Sequence, residues 1–148
     1  MTDDPLGPIR ALLASTMKTD QAMTPLRALL EHAAALSSKD DRRFVETVSL
    51  PFIHLRPDGE IVEYRQPGDV HLSTQLAKAP MDVNSFGQTE LEAATLVLDW
   101  NDLKVFHTRL TRYAAEGKYL GKAEAICVVV REGESWKVKL SIGAAPVT

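Results

Sequence analysis

The stretch Ala125-Ile126-Cys127-Val128-Val129-Val130-Arg131-Glu132-Gly133-Glu134-Ser135-Trp136-Lys137-Val138-Lys139-Leu140 decides the fold class. Its first half is apolar at consecutive positions, so a strand over residues 123–131 is predicted to lie inside a sheet. Glu132-Gly133-Glu134 then reverses the chain. After the turn, Trp136, Val138, Leu140 and Ile142 alternate with Lys137, Lys139 and Ser141, the period-two pattern of a strand with one buried face.

The same pattern extends upstream. Leu91–Leu98 reads as a strand, Asp99-Trp100-Asn101-Asp102 as a turn, and Leu103–Tyr113 as a long second strand that reverses through Glu116-Gly117-Lys118 and Gly121. Earlier still, Phe52–Arg56, the turn Pro57-Asp58-Gly59 and Glu60–Tyr64 predict a β-hairpin. A short helix over Val70–Lys78 and a polar loop over Pro80–Gln88 follow it. The part before the hairpin is helical. Thr24-Pro25 reads as an N-cap with proline at the first helical position, followed by the stripe Leu26, Leu29, Leu30, Ala33, Ala34 and Leu36. Asp40 or Asp41 caps a shorter helix carrying Phe44, Val45 and Val48, which Pro51 ends. Residues 1–20 read as a short helix or an arm. Helices first and an antiparallel meander last make an α+β domain, with no internal boundary over 1–148.

The chain has 148 residues, 45% hydrophobic and 25% charged, with a formal net charge of −3. That is one domain's length and enough apolar residue for one core, which argues against a mainly disordered chain. The mildly acidic balance removes the compositional case for a nucleic-acid binder, which usually needs a concentrated basic face. One cysteine, Cys127, closes no intrachain disulfide. The opening Met1-Thr2-Asp3-Asp4-Pro5 is acidic where a secretory signal is basic, and the longest apolar runs fall far below the roughly 20 residues of a membrane span. A cytoplasmic protein without membrane contact is expected.

Three stretches carry a resemblance: Pro51–Gly59; Val105-Phe106-His107-Thr108-Arg109-Leu110-Thr111-Arg112-Tyr113 with Gly117 and Gly121; and Val128–Val138 with its G-x-x-W-K-V ending. Together with the order of elements, they resemble the nuclear transport factor 2-like superfamily, and its SnoaL-like members in particular, over about residues 20–145. The resemblance implies a curved antiparallel sheet wrapped around a long N-terminal helix, a cone-shaped α+β barrel with a cavity between them. It also implies a homodimer through the outer sheet face. It selects no reaction, because that fold carries isomerases, cyclases, dehydratases and proteins without catalysis.

Candidate residues follow from which polar groups could face such a cavity. On the long strand Leu103, Val105, His107, Arg109, Thr111 and Tyr113 share one face, and Lys104, Phe106, Thr108, Leu110 and Arg112 the other. Both faces are mixed, so alternation leaves open which one is concave. His107 is the acid/base candidate because imidazole titrates near neutrality, against the bland alternative of a half-buried strand histidine. Glu124 opens an otherwise apolar strand and is a second candidate, against a charge reaching solvent at a strand end. Among the other carboxylates, Asp82 is open and turn chemistry accounts for Asp99. His54, Tyr64, Trp100, Arg109 and Tyr113 are candidate ligand-binding residues, each with ordinary packing or cross-strand pairing as its alternative. Arg112 shares the choice given for Arg109. His32 reads as a helix-flank residue, His71 as exposed and Cys127 as inert core. The histidines at 32, 54, 71 and 107 show no metal-ligand spacing, and no phosphate-binding glycine loop or G-x-S-x-G occurs, so neither metal nor cofactor is expected. Three functions remain open: a cavity protein for a small apolar or amphipathic molecule, a cofactor-free acid/base enzyme using His107 or Glu124, and a dimerising interaction module.

Overall fold

The computed structural model of the chain describes residues 24–72, 86–114 and 116–147. The expected arm or helix at 1–20, Asp82 and most of the helix expected at 70–78 lie outside these residues.

Helix α1 spans Pro25–Ser38 and starts where the sequence signals it. Thr24 is extended, and its Oγ1 accepts a hydrogen bond from Arg27 N at 3.1 Å. The helix ends at Lys39, whose left-handed backbone (φ 55°) sends its N–H back to Leu36 O. Ala28, Leu29 and Ala35 bury one face against the sheet. Helix α2, Asp41–Glu46, is capped by Asp40 and buries Phe44. It stops at Glu46 rather than at Pro51, because Thr47 caps its end and donates Oγ1–H to Phe44 O at 2.7 Å.

Six strands follow: β1 Val48–Leu55, β2 Ile61–Tyr64, β3 Phe86–Asp99, β4 Leu103–Ala114, β5 Tyr119–Glu132 and β6 Ser135–Val147. They form one sheet in the order β2-β1-β6-β5-β4-β3, packed against one main helix. The fold class is α+β, as expected. The sheet is mixed, however, because β1 lies parallel to β6 while the described pairs elsewhere are antiparallel. Pro51, which has no N–H to give, falls inside β1 where the β1–β6 register is irregular. The sheet is open, with β2 and β3 as its edges rather than a closed barrel.

One bulge redirects the last strand. Val129 pairs with Val138 and Val128 with Leu140, so Lys139 is an extra residue in β6. An extra residue moves every later side chain to the opposite face. Val138 is fully buried, but beyond the bulge it is Ser141 that turns inward (8% exposed), while Ile142 turns out (39%). The continuous stripe Trp136–Val138–Leu140–Ile142 expected from alternation is therefore broken.

The core combines α1, α2 and the inner sheet face. Phe44 stands edge-on to Phe52 (centroids 5.8 Å), and Phe52 stacks on Tyr64 at 5.9 Å. Val129, Val138 and Leu72 complete it, each essentially inaccessible. Among the described residues, no helix is long and apolar enough to cross a membrane.

Candidate functional site

Between α1 and the inner face of the sheet lies a cavity of about 110 Å³. The helix contributes Leu29, His32, Ala33 and Leu36, spaced i, i+3, i+4, i+7 along one face. Strand β1 contributes Phe52 and His54, with Arg56 just past its end, and β4 contributes Thr108, Leu110 and Arg112, each set at alternate positions. Ala125, Cys127, Ser141 and Gly143 close the floor, with Thr89 and Leu91 on the β3 side. The concave face of the long strand is thus the one carrying Thr108 and Arg112.

Burial shapes the chemistry of these groups. The His32 ring packs against Phe44 and Phe52, with centroids at 4.9 and 5.9 Å. Burial lowers its pKa to about 4, and His54 nearby lowers it further. Its Nδ1 lies 3.1 Å from Thr47 Oγ1. That hydroxyl spends its own proton on Phe44 O, so the neutral imidazole carries its hydrogen on Nδ1. His54 is also held below the usual histidine range, by burial first and then by the charges of Arg56 and Arg112; a bond to the Ser141 backbone works the other way. The Arg112 guanidinium has its pKa lowered by desolvation. Burial pushes the Cys127 thiol up to about 11, although Ser141 and Thr108 hydrogen-bond to it. The cavity therefore presents neutral imidazoles, a neutral thiol and guanidinium charge. Chemically, such a site can seat a polar or anionic group beside apolar walls.

The sequence candidates are distributed widely. His54 lines the cavity. Tyr64 is buried in the aromatic cluster, and burial raises its hydroxyl to about 12. Trp100 sits in the β3–β4 turn, 59% exposed. His107, Arg109 and Glu124 stand together on the opposite face of the sheet: Glu124 Oε1 is 3.6 Å from His107 Nε2 and 3.4 Å from Arg109 Nε. Tyr113 is half-buried, edge-on to Tyr119 at 6.2 Å. Asp99 pairs with Lys104 at the turn, and His71 is exposed.

Several cavity residues were not singled out by sequence reading. His32 lies in the cavity wall rather than on the helix flank, and its i+3 spacing from Leu29 was the available signal. Ser141 had none, because the bulge at Lys139 is what turns it inward. Thr89 and Arg56 also line the cavity. Among the described residues, no group of three or more His, Cys, Asp or Glu side chains is placed to hold a metal ion.

No protein-family model matches the chain, and no curated protein matches it. Solved structures do. A cystatin-like-fold protein of unknown function from Nostoc punctiforme superposes with a TM-score of 0.61 at 15% identity, covering 82% of this chain and 92% of that one. A nuclear transport factor 2-like protein of unknown function from Pseudomonas putida gives 0.62 at 13% identity, covering 93% and 89%. A candidate ketosteroid isomerase from Shewanella frigidimarina gives 0.60 at 10% identity, covering 80% and 92%. Likeness at such identities speaks to architecture and not to chemistry. By its helix, its six-stranded open sheet and these likenesses, the chain has the nuclear transport factor 2-like, cystatin-like α+β fold.

Proposed function

We propose that this protein binds a small amphipathic molecule in the cavity between α1 and the sheet. The observation that carries this reading is the lining itself: leucine and phenylalanine walls with a few convergent polar groups, His54 and Arg112 among them. A fluorescent amphipathic reporter is expected to bind saturably with one site per chain. Ala33→Trp puts an indole into the cavity from the half-exposed helix face. It should weaken binding at least roughly tenfold while leaving a cooperative thermal transition. Equal binding by both proteins would overturn the reading.

A cofactor-free acid/base reaction is a second reading, favoured by one feature. His54 is neutral at neutral pH and can accept a proton in an apolar surround. Its base is then His54 rather than His107 or Glu124, which stand on the other face. A pH profile of turnover that persists in His54→Gln would sink it.

The remaining elements of the proposal concern setting. Thr95, His107, Ile126 and Ile142 form a row across the outer face of β3, β4, β5 and β6, with Ile142 39% exposed. This supports a homodimer closing over that face, and a monomer mass by light scattering at micromolar concentration would discard it. The cytoplasm is the proposed compartment, in keeping with a single buried free thiol.

A further inference from the structure

Resting on the cavity-binding reading, we propose that the occupant carries a carboxylate, seated against the Arg112 guanidinium and the Thr89 hydroxyl. Arg112 and Thr89 are register partners across β4 and β3, and both line the cavity. Thr89 is only 5% exposed. Its Oγ1 is buried without a hydrogen-bond partner, although its backbone N–H and C=O are both satisfied by Ser37 Oγ. A buried hydroxyl with no partner costs free energy, and a ligand oxygen beside it removes that cost.

The charge of the wall points the same way. Arg56, Arg112, His32 and His54 line the cavity, and no Asp or Glu does so among the described residues. Arg56 is held at the β1–β2 turn by Asp58 at 2.9 Å and Glu60 at 3.7 Å, outside the lining. Arg112 is 8% exposed, and its charge reaches His54 through the cavity wall. In a low-dielectric recess a guanidinium attracts an anion far more than it does in water. Its planar fork matches the two oxygens of a carboxylate. The size of the cavity limits the remainder of the molecule to a short chain or a single ring.

The test uses the full chain and three probes that share one apolar body: 4-phenylbutyrate, 4-phenylbutan-1-ol and 4-phenylbutylamine, by calorimetry at pH 7 and low salt. The acid is expected to bind at least roughly tenfold tighter than the alcohol, with the amine weakest. Arg112→Met should reduce the acid to the level of the alcohol and leave the alcohol unchanged. Thr89→Val, nearly isosteric, should weaken the acid severalfold and keeps the test open if the arginine variant does not fold. Equal affinity for acid and alcohol, or preference for the amine, would overturn the carboxylate proposal while the cavity reading stands. A phosphonate of the same body binding tenfold tighter than the acid would overturn it as well. Binding of none of the probes overturns both.

Discussion

His107 Nε2 stands 3.6 Å from Glu124 Oε1 on the face of the sheet that looks away from the cavity. The β4–β5 register is regular from Leu103 to Arg112, so the pairs His107–Ile126 and Arg109–Glu124 face outward wherever Thr108–Ala125 faces in. Two groups that invite an acid/base reading from sequence thus meet each other, with Arg109 beside them, on a half-exposed surface.

Glu124→Gln tests what that surface cluster does. The His107 and Glu124 side chains are 38% and 39% exposed, where solvent screens such a pair. The substitution is expected to change the free energy of unfolding by less than about 1 kcal/mol. It should also leave the affinity for a cavity probe within twofold. Urea denaturation and probe titration read the two outcomes; loss of probe binding would tie the outer cluster to the site.

Acid should weaken the protein in a defined window. The folded-state pKa of His32, about 4, lies below the ordinary 6.5. Between these values the unfolded chain takes up a proton that the folded chain refuses, so stability rises with pH there. His32 contributes fully above about pH 6.5, and up to about 3 kcal/mol is lost as pH falls toward 4. His54 acts in the same direction. Chemical denaturation at pH 7, 5.5 and 4.5 should show this slope, and His32→Gln should flatten it even though it costs stability at pH 7.

Two glycines with positive φ should respond differently to alanine. A Cβ at Gly143 (φ +117°) would stand 2.7 Å from Glu124 O and 3.0 Å from Ala125 Cα, both backbone atoms of the neighbouring strand. At Gly59 (φ +87°), in the β1–β2 turn, it would meet nothing within 4 Å. Gly59→Ala is expected to cost about 1 kcal/mol from its conformation alone. Gly143→Ala should cost well over that, about 3 kcal/mol, because strands β5 and β6 must also separate. Midpoints of urea unfolding at unchanged m-value measure the difference, and equal midpoints would refute the close approach.

Cys127 should be silent in the native protein. Its thiol is buried and raised to about 11, so thiolate is scarce at pH 8. Labelling by a disulfide reagent is expected to be at least roughly 100-fold slower than in urea. A bound cavity ligand should slow it further. Labelling at the unfolded rate would mean that the cavity opens freely.

Much of this architecture is written in local pattern. Thr24-Pro25 starts α1 because an extended threonine caps free N–H groups and proline has none to lose. The turns at Pro57–Gly59, Asp99–Asp102 and Glu132–Glu134 follow from residues suited to tight reversal, and β5 between the last two follows from its continuous apolar run. The site was less legible. His54 was found because it alternates with Phe52 in a hairpin. Arg112 and His107 stand on opposite faces of one strand, and nothing within that strand says which face is covered.

Caps, periods and turns act over a few residues, and they place most helices and strands of this chain. They miss the start of β1 at Val48, inside the helix expected to reach Pro51, and that of β3 at Phe86, inside the loop expected over Pro80–Gln88. Three features needed distant contacts: the parallel docking of β1 on β6, the extra residue at Lys139, and the packing of α1 on the Thr108–Arg112 face of β4. A strand's two faces are equivalent until a helix covers one of them, and a bulge exchanges them partway along. For that reason the elements could be read from residue order, while Ser141, His32 and Arg112 entered the cavity wall only through the way those elements pack.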